Sequence, residues 1–98
     1  MQTWGFIYTS GNEDGPPITA RTGSEACVLL TVGVPSAAAV DDQVVEDLLA
    51  QGAQLIELCG AFGPAESARI MEQVAGRVPV GAVTYPASQA AGLHDLFG

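Results

Sequence analysis

Residues 54–64, Gln-Leu-Ile-Glu-Leu-Cys-Gly-Ala-Phe-Gly-Pro, concentrate the side chains of this chain that could do chemistry. The first six read as a short apolar strand, and side chains two apart share a strand face, so Glu57 and Cys59 project together. A glycine-punctuated loop follows, and Pro64 stands where the first turn of a helix would begin. A strand that delivers a thiol to a helix N-terminus is a common way for α/β proteins to build a small-molecule site. Such a position activates a thiol through the helix dipole and loose N–H groups, making Cys59 a candidate nucleophile for acyl or carbonyl chemistry. The competing reading is a buried cysteine packed as a small hydrophobe, the commoner fate of a free thiol.

Glu57 is the stranger residue, because a strand between helices should not hold a lone carboxylate. It must be paired, protonated or exposed. A general-base role is one reading; an ion pair with Arg69 or Arg77, or exposure at a subunit boundary, is the other. His94 is the single histidine. It could complete a Cys59–His94 dyad if the final helix docks beside the loop, or simply occupy the surface. No lysine is present, since the three basic residues are Arg21, Arg69 and Arg77, and this excludes Schiff-base catalysis. The Gly60-Ala61-Phe62-Gly63 loop has neither the lysine of a P-loop nor the spacing of a dinucleotide fingerprint. With two distant cysteines and one histidine, no metal site and no cofactor are expected.

The elements that must position these residues follow from pattern. Residues 4–10 read as a first strand with Trp4, Phe6 and Tyr8 on one face and Ile7 on the other. Residues 11–23 are rich in turn formers and read as a long loop, a flap or a simple excursion. Residues 26–34 form a nearly unbroken apolar run, expected to be a central strand covered on both faces. Pro35 ends it, and Ser36 is placed to cap a helix whose apolar stripe is Val40, Val44, Val45, Leu48 and Leu49, stopped by Gly52. Residues 54–59 are the third strand. Pro64 opens a second helix with Ala68, Ile70, Met71, Val74 and Ala75 inward, ended by Gly76. Residues 78–84 make a fourth strand, and residues 87–97 a short helix turning Leu93 and Phe97 inward.

This order predicts one α/β domain over residues 1–98: a small open four-stranded sheet with three parallel strands, two crossover helices and a short C-terminal helix. The first strand is parallel or antiparallel; its connection has no helix but is long enough for a crossover. Ligands bind outside the carboxyl ends of parallel strands. The ligand-binding candidates there are Ser10, Ser36, Gly60, Phe62, Gly63, Thr84 and Tyr85, with Thr9 and Cys59 on the same rim. An antiparallel first strand would replace Thr9 and Ser10 by Thr3 and Trp4. Cys27 begins its strand while Cys59 ends a parallel one, so no disulfide is expected between them.

Composition bounds the rest. Eleven carboxylates against three arginines give a formal charge of −8, which argues against nucleic acid and anionic membrane surfaces as partners. Hydrophobic residues make up 48% and charged residues only 14%, a low charged share for a domain of 98 residues. Such an apolar excess at small size predicts burial between subunits, a homo-oligomer of two or more copies. No basic n-region with a long apolar run opens the chain, so the expected location is the cytoplasm.

With these segments in view, the chain resembles a family of short bacterial proteins known only as a domain of unknown function. The residues that carry the resemblance are Trp4-Gly5-Phe6-Ile7, Val32-Gly33-Val34-Pro35 and Glu57-Leu58-Cys59-Gly60-Ala61-Phe62-Gly63-Pro64. Val78-Pro79-Val80-Gly81 and Gly92-Leu93-His94 extend it almost end to end. The resemblance implies an α/β fold and assigns no activity and no functional residues. The function expected from the residues is therefore a self-associating domain that binds a small anionic or carbonyl metabolite. The alternative is an enzyme with Cys59 as nucleophile and Glu57 or His94 as acid or base.

Overall fold

The computed structural model describes residues 1–97. In chain order the elements are β1 (Gln2–Thr9), β2 (Ile18–Gly23), β3 (Cys27–Val34), α1 (Asp42–Ala50), β4 (Leu55–Leu58), α2 (Pro64–Val74), β5 (Val80–Ala82) and α3 (Ala90–Phe97). They form one mixed sheet of five strands in the order β2-β3-β1-β4-β5. β1 runs parallel to both β3 and β4, and β4 is parallel to β5, which settles the direction of the first strand.

The fifth strand is β2, an antiparallel edge inside the stretch that sequence pattern assigns to a loop. All six of its residues are exposed, so no apolar alternation marks it. It pairs through a hairpin whose Gly23 has φ 137°, and a Cβ there would land on the carbonyl oxygen of Cys27. That hairpin register, from Ile18 opposite Gly33 to Gly23 opposite Val28, is invisible without the neighbouring strand.

Both crossovers, β3 to β4 over β1 and β4 to β5, step across the sheet in the same direction. A shared right hand then puts α1 and α2 on one face. The buried set agrees: Ile7, Val28, Leu30, Val32, Ile56 and Leu58 point from the sheet into one cluster with Val44, Val45 and Leu48 of α1 and Ile70 and Val74 of α2. Neither crossover helix covers the opposite face. There Trp4, Phe6, Tyr8, Leu29, Leu55 and Glu57 are exposed or half-buried. The expectation that β3 is covered on both faces is therefore corrected. β3 lies inside the sheet, yet its run is unbroken because the open face is itself apolar. Gly33 on that face is needed for close approach, since a Cβ there would lie 2.6 Å from Cζ of Tyr8, whose ring crosses β3.

The helices start and stop by identifiable means. Ser36 opens only a short 3-10 turn, Ala37–Ala39, and makes no cap bond. The cap of α1 is Asp41, which accepts from the N–H of Val44 at 3.0 Å. On α2 the buried residues are Ser67, Ile70 and Val74, whereas Ala68, Met71 and Ala75 lie outside. The helix is rotated from the predicted stripe because its two large β-branched side chains, Ile70 and Val74, both seat on the sheet. α2 ends on Ala75 in the left-handed region, φ 56°, one residue before Gly76. A Cβ in that region costs roughly 1–2 kcal/mol. Ala75→Gly is expected to raise stability by about 1 kcal/mol, or ~4–8 °C in thermal midpoint for a domain of this size. Differential scanning calorimetry that finds no gain would remove strain as the account of this cap.

Two arginines fasten the helical layer. Arg77 makes a bidentate pair with Glu46, at 2.7 and 3.0 Å, joining the end of α2 to α1. This hydrogen-bonded guanidinium holds the Glu46 carboxyl below the usual carboxylate range. The contribution of the pair is thus present at neutral pH and disappears as pH falls through that lowered value. Arg69 donates to the carbonyl oxygens of Val40 at 2.7 Å and Ala37 at 2.8 Å, and to Glu66 at 3.0 Å. No helix among the described residues is long and apolar enough to cross a membrane.

Candidate functional site

The carboxyl ends of β1, β4 and β5 open onto a single groove of ≈ 980 Å³. Its polar groups come from Tyr8 and Thr9 at the end of β1, Cys59 after β4, Thr84 and Tyr85 after β5, and His94 on α3. The loop from β4 to α2 forms the floor, and its shape follows from its sequence. The N–H of Cys59 still donates to the carbonyl of Ile7 at 3.0 Å, so Cys59 stays attached to the sheet although the strand has ended. The Cys59 carbonyl then accepts from the N–H of Phe62 at 3.0 Å, closing a tight turn. The Phe62 ring, 4% exposed, anchors that turn in the core. Gly63 is the N-cap residue and Pro64 follows in the first turn, where a missing N–H does no harm. Ser67 N–H closes the first helical bond to Gly63 at 2.9 Å.

On the far side, Val83 N–H donates to the Leu58 carbonyl at 2.8 Å, which keeps the chain after β5 beside β4 as far as Tyr85. The Tyr85 ring passes over bare backbone at Gly60, where a Cβ would lie 3.5 Å from Cε1. Pro86 then starts the 3-10 turn Ala87–Gln89, and α3 leaves from it. Leu93, His94 and Phe97 fall on one side of α3 and line the groove. Leu93 is half-buried, but Phe97 is 83% exposed, which corrects the expectation that it points into the core. Among the described residues the groove lining holds no carboxylate and no arginine.

The predicted site residues therefore divide. Cys59, His94, Gly60, Phe62, Gly63, Thr84 and Tyr85 share the groove. Glu57, Ser10 and Ser36 do not. Glu57 is exposed on the open sheet face, in a shallow depression of ≈ 310 Å³ with Leu55, Pro79 and Gly81. It enters neither ion pair, because Arg69 holds Glu66 and Arg77 holds Glu46. The tension of a buried carboxylate is relieved by the absence of a helix over its face. Ser10 turns its hydroxyl to the carbonyl of Val34 at 3.2 Å and accepts from the N–H of Asn12. Ser36 is exposed beside its 3-10 turn. Tyr8, Leu93 and Phe97 were not among the site candidates. Strand alternation places Tyr8 with Trp4 and Phe6 on one face, and its place next to last in β1 sets it at the rim.

Cys27 and Cys59 are both free. Cys27 is level with Gln2 at the amino end of the sheet, whereas Cys59 follows Leu58, which is level with Ile7. Five residues along the strands separate those levels by roughly 17 Å. A second groove, ≈ 890 Å³, lies between β2 and α1 and sets Arg21 near Asp41 and Asp47. It contains neither thiol, phenol nor imidazole. Among the described residues, no group of three or more His, Cys, Asp or Glu is placed to hold a metal ion.

The profile of a family of unknown function, DUF6506, matches residues 2–98. The chain belongs to that family. No curated protein matches the DUF6506 chain, and no solved structure matches it either. Family membership thus covers the whole of β1 to α3 and leaves the chemistry of the groove to be argued from its residues.

Proposed function

We propose that this DUF6506 protein is a self-associating cytoplasmic domain that binds a small anionic or carbonyl metabolite in the groove at the carboxyl end of its sheet. One observation carries the reading. Although the chain has a formal charge of −8, the groove lining among the described residues has no carboxylate and gathers a thiol, two threonine hydroxyls, two phenols and an imidazole. Donors without competing negative charge suit a carbonyl or carboxylate oxygen, and Leu93, Val83 and Phe97 supply apolar surface for the rest of a ligand. Gly60 lets a ligand approach backbone.

The test uses short-chain 2-oxo acids and carboxylic acids as probes, with saturation-transfer NMR as readout. Transfer to the probes is expected with the wild type and lost in Gly60→Leu, whose side chain would project beside Tyr85 and fill the groove. Equal transfer in both proteins would place binding elsewhere.

A second reading is favoured by the presence of Cys59 and His94 in the same groove. There Cys59 Sγ adds to an acyl carbon, the leaving group departs with a proton from His94, and water releases the acid from the thioester. Glu57, on the open face, has no part in it. Iodoacetamide alkylation at neutral pH separates the readings. Modification of Cys59 much faster than Cys27, and slowed by His94→Ala, supports the enzyme. An inert Cys59 leaves binding alone.

A further inference from the structure

The open face of the sheet has a composition that the rest of the surface lacks. Its residues fall in cross-strand rows: Thr22, Leu29, Trp4 and Leu55 in one, Ala20, Thr31, Phe6, Glu57 and Gly81 in the next, and Ile18, Gly33 and Tyr8 beyond. Trp4 stands on the middle strand and is 39% exposed; Ile18 is 47% exposed. Phe6 and Tyr8 stack along β1 with ring centroids 6.5 Å apart. Glu57 is the single charged residue in these rows. The opposite layer differs: Arg77 and Arg69 pair with Glu46 and Glu66, and Asp42, Asp47 and Glu72 add three further carboxylates on α1 and α2.

From this division we infer that the open face docks the same face of a second copy, sheet against sheet across a two-fold axis. The inference rests on the proposed self-association and names its surface and partner. Charge selects the partner. Two copies meeting through their helices would bring those carboxylates together, whereas two open faces meet with almost no charge and leave both acidic layers in water. A basic partner would find a single carboxylate, Glu57 on β4 between Phe6 and Gly81, among apolar and small uncharged neighbours. The flat, neutral, apolar rows match most closely another set of themselves.

Size is sufficient. Strands ~4.8 Å apart and ~3.3 Å per residue long give this face a flat footprint of roughly 500 Å². Two such faces would bury about 1,000 Å² in total, the lower bound for a specific interface. Leu96 and Phe97 of α3, 76% and 83% exposed, add apolar surface at the carboxyl end, where Phe97 shares the groove with Tyr8. A second copy over Tyr8 would therefore also stand beside the mouth of the groove.

The test is mass by light scattering at micromolar concentration, with far-UV circular dichroism as a check on folding. The wild type is expected at twice the chain mass of 10.0 kDa. Trp4→Glu is expected at the monomer mass with an unchanged spectrum, and Met71→Glu, on the helical layer, at the dimer mass. A dimer in Trp4→Glu that dissociates in Met71→Glu overturns the assigned face and leaves self-association standing. A monomeric wild type overturns both. If Trp4→Glu does not fold, the wild type supplies the answer through its one tryptophan. Dilution that dissociates the dimer is expected to red-shift Trp4 emission; dissociation without a shift overturns the proposal.

Discussion

Ile70→Ala is expected to lower the stability of the fold by ~3–4 kcal/mol, while Met71→Ala, one residue along α2, changes it by less than about 0.5 kcal/mol. Sequence pattern places both side chains on the inward stripe, so the pair asks which way the helix faces. Ile70 is fully buried in the cluster with Leu58 and Val74, whereas Met71 is 45% exposed. Truncating Ile70 removes three carbons from a core backed by only one helical layer, and a cavity there has no second layer to collapse into. At ~4–8 °C per kcal/mol for a domain of 60–100 residues, the thermal midpoint should fall by ~12 °C or more. Thermal melts of the two variants side by side decide the matter. Equal losses would restore the predicted stripe and overturn the observed rotation of α2.

Arg69→Lys is expected to cost ~2–3 kcal/mol although it keeps the charge. The guanidinium spans two carbonyl oxygens, Ala37 and Val40, from different nitrogens, and reaches Glu66 as well. An ammonium is a point donor and cannot hold both carbonyls and the carboxylate in one fixed geometry. Ala37 and Val40 lie in the connection from β3 to α1, and Val40 is buried there; Arg69 joins that connection to α2 at two carbonyls, with Gln73 of α2 adding a bond to the Val40 carbonyl at 3.2 Å. Its side chain is 36% exposed, and the Glu66 pair is correspondingly screened, so most of the loss should come from the carbonyl bonds. A urea titration should show the midpoint of Arg69→Lys well below wild type, with Glu66→Gln close to wild type. A lysine variant as stable as wild type would mean the loop holds itself.

These two results bear on different parts of what could be read from the chain. Alternation at Trp4, Phe6 and Tyr8, the apolar run before Pro35, and the glycine–proline loop after Cys59 are local patterns. They sufficed for the order of elements from β3 onward, for an α/β fold, and for the carboxyl rim that holds Cys59, Gly60, Thr84 and Tyr85; Ser10 and Ser36 fall outside the groove, and the docking of α3 that brings His94 to it was open in the sequence. Asp41 as helix cap and β2 as a strand were missed for opposite reasons. Asp41 competes with Ser36, and only the 3-10 turn decides between them. β2 has no buried residue to betray it, because its pairing with β3 is through backbone alone.

Tertiary structure decided the rest. Which face of a sheet is covered depends on the direction in which successive crossovers travel, and no side-chain periodicity encodes that when both faces of the central strands are apolar. One-sided cover is why Glu57 is exposed rather than paired, and why Arg69 and Arg77 were free to fasten helices instead. It also leaves room for the Tyr8 ring to lie across Gly33 and leaves Trp4 half in water. The sequence determined an apolar share of 48% against a charged share of only 14% in a domain of 98 residues. Only the fold showed that Trp4, Phe6, Tyr8, Ile18 and Leu29 share one face with Glu57 as the charged residue of its paired rows, because strand pairing consumes the backbone of the sheet and leaves its side chains to whichever neighbour covers them.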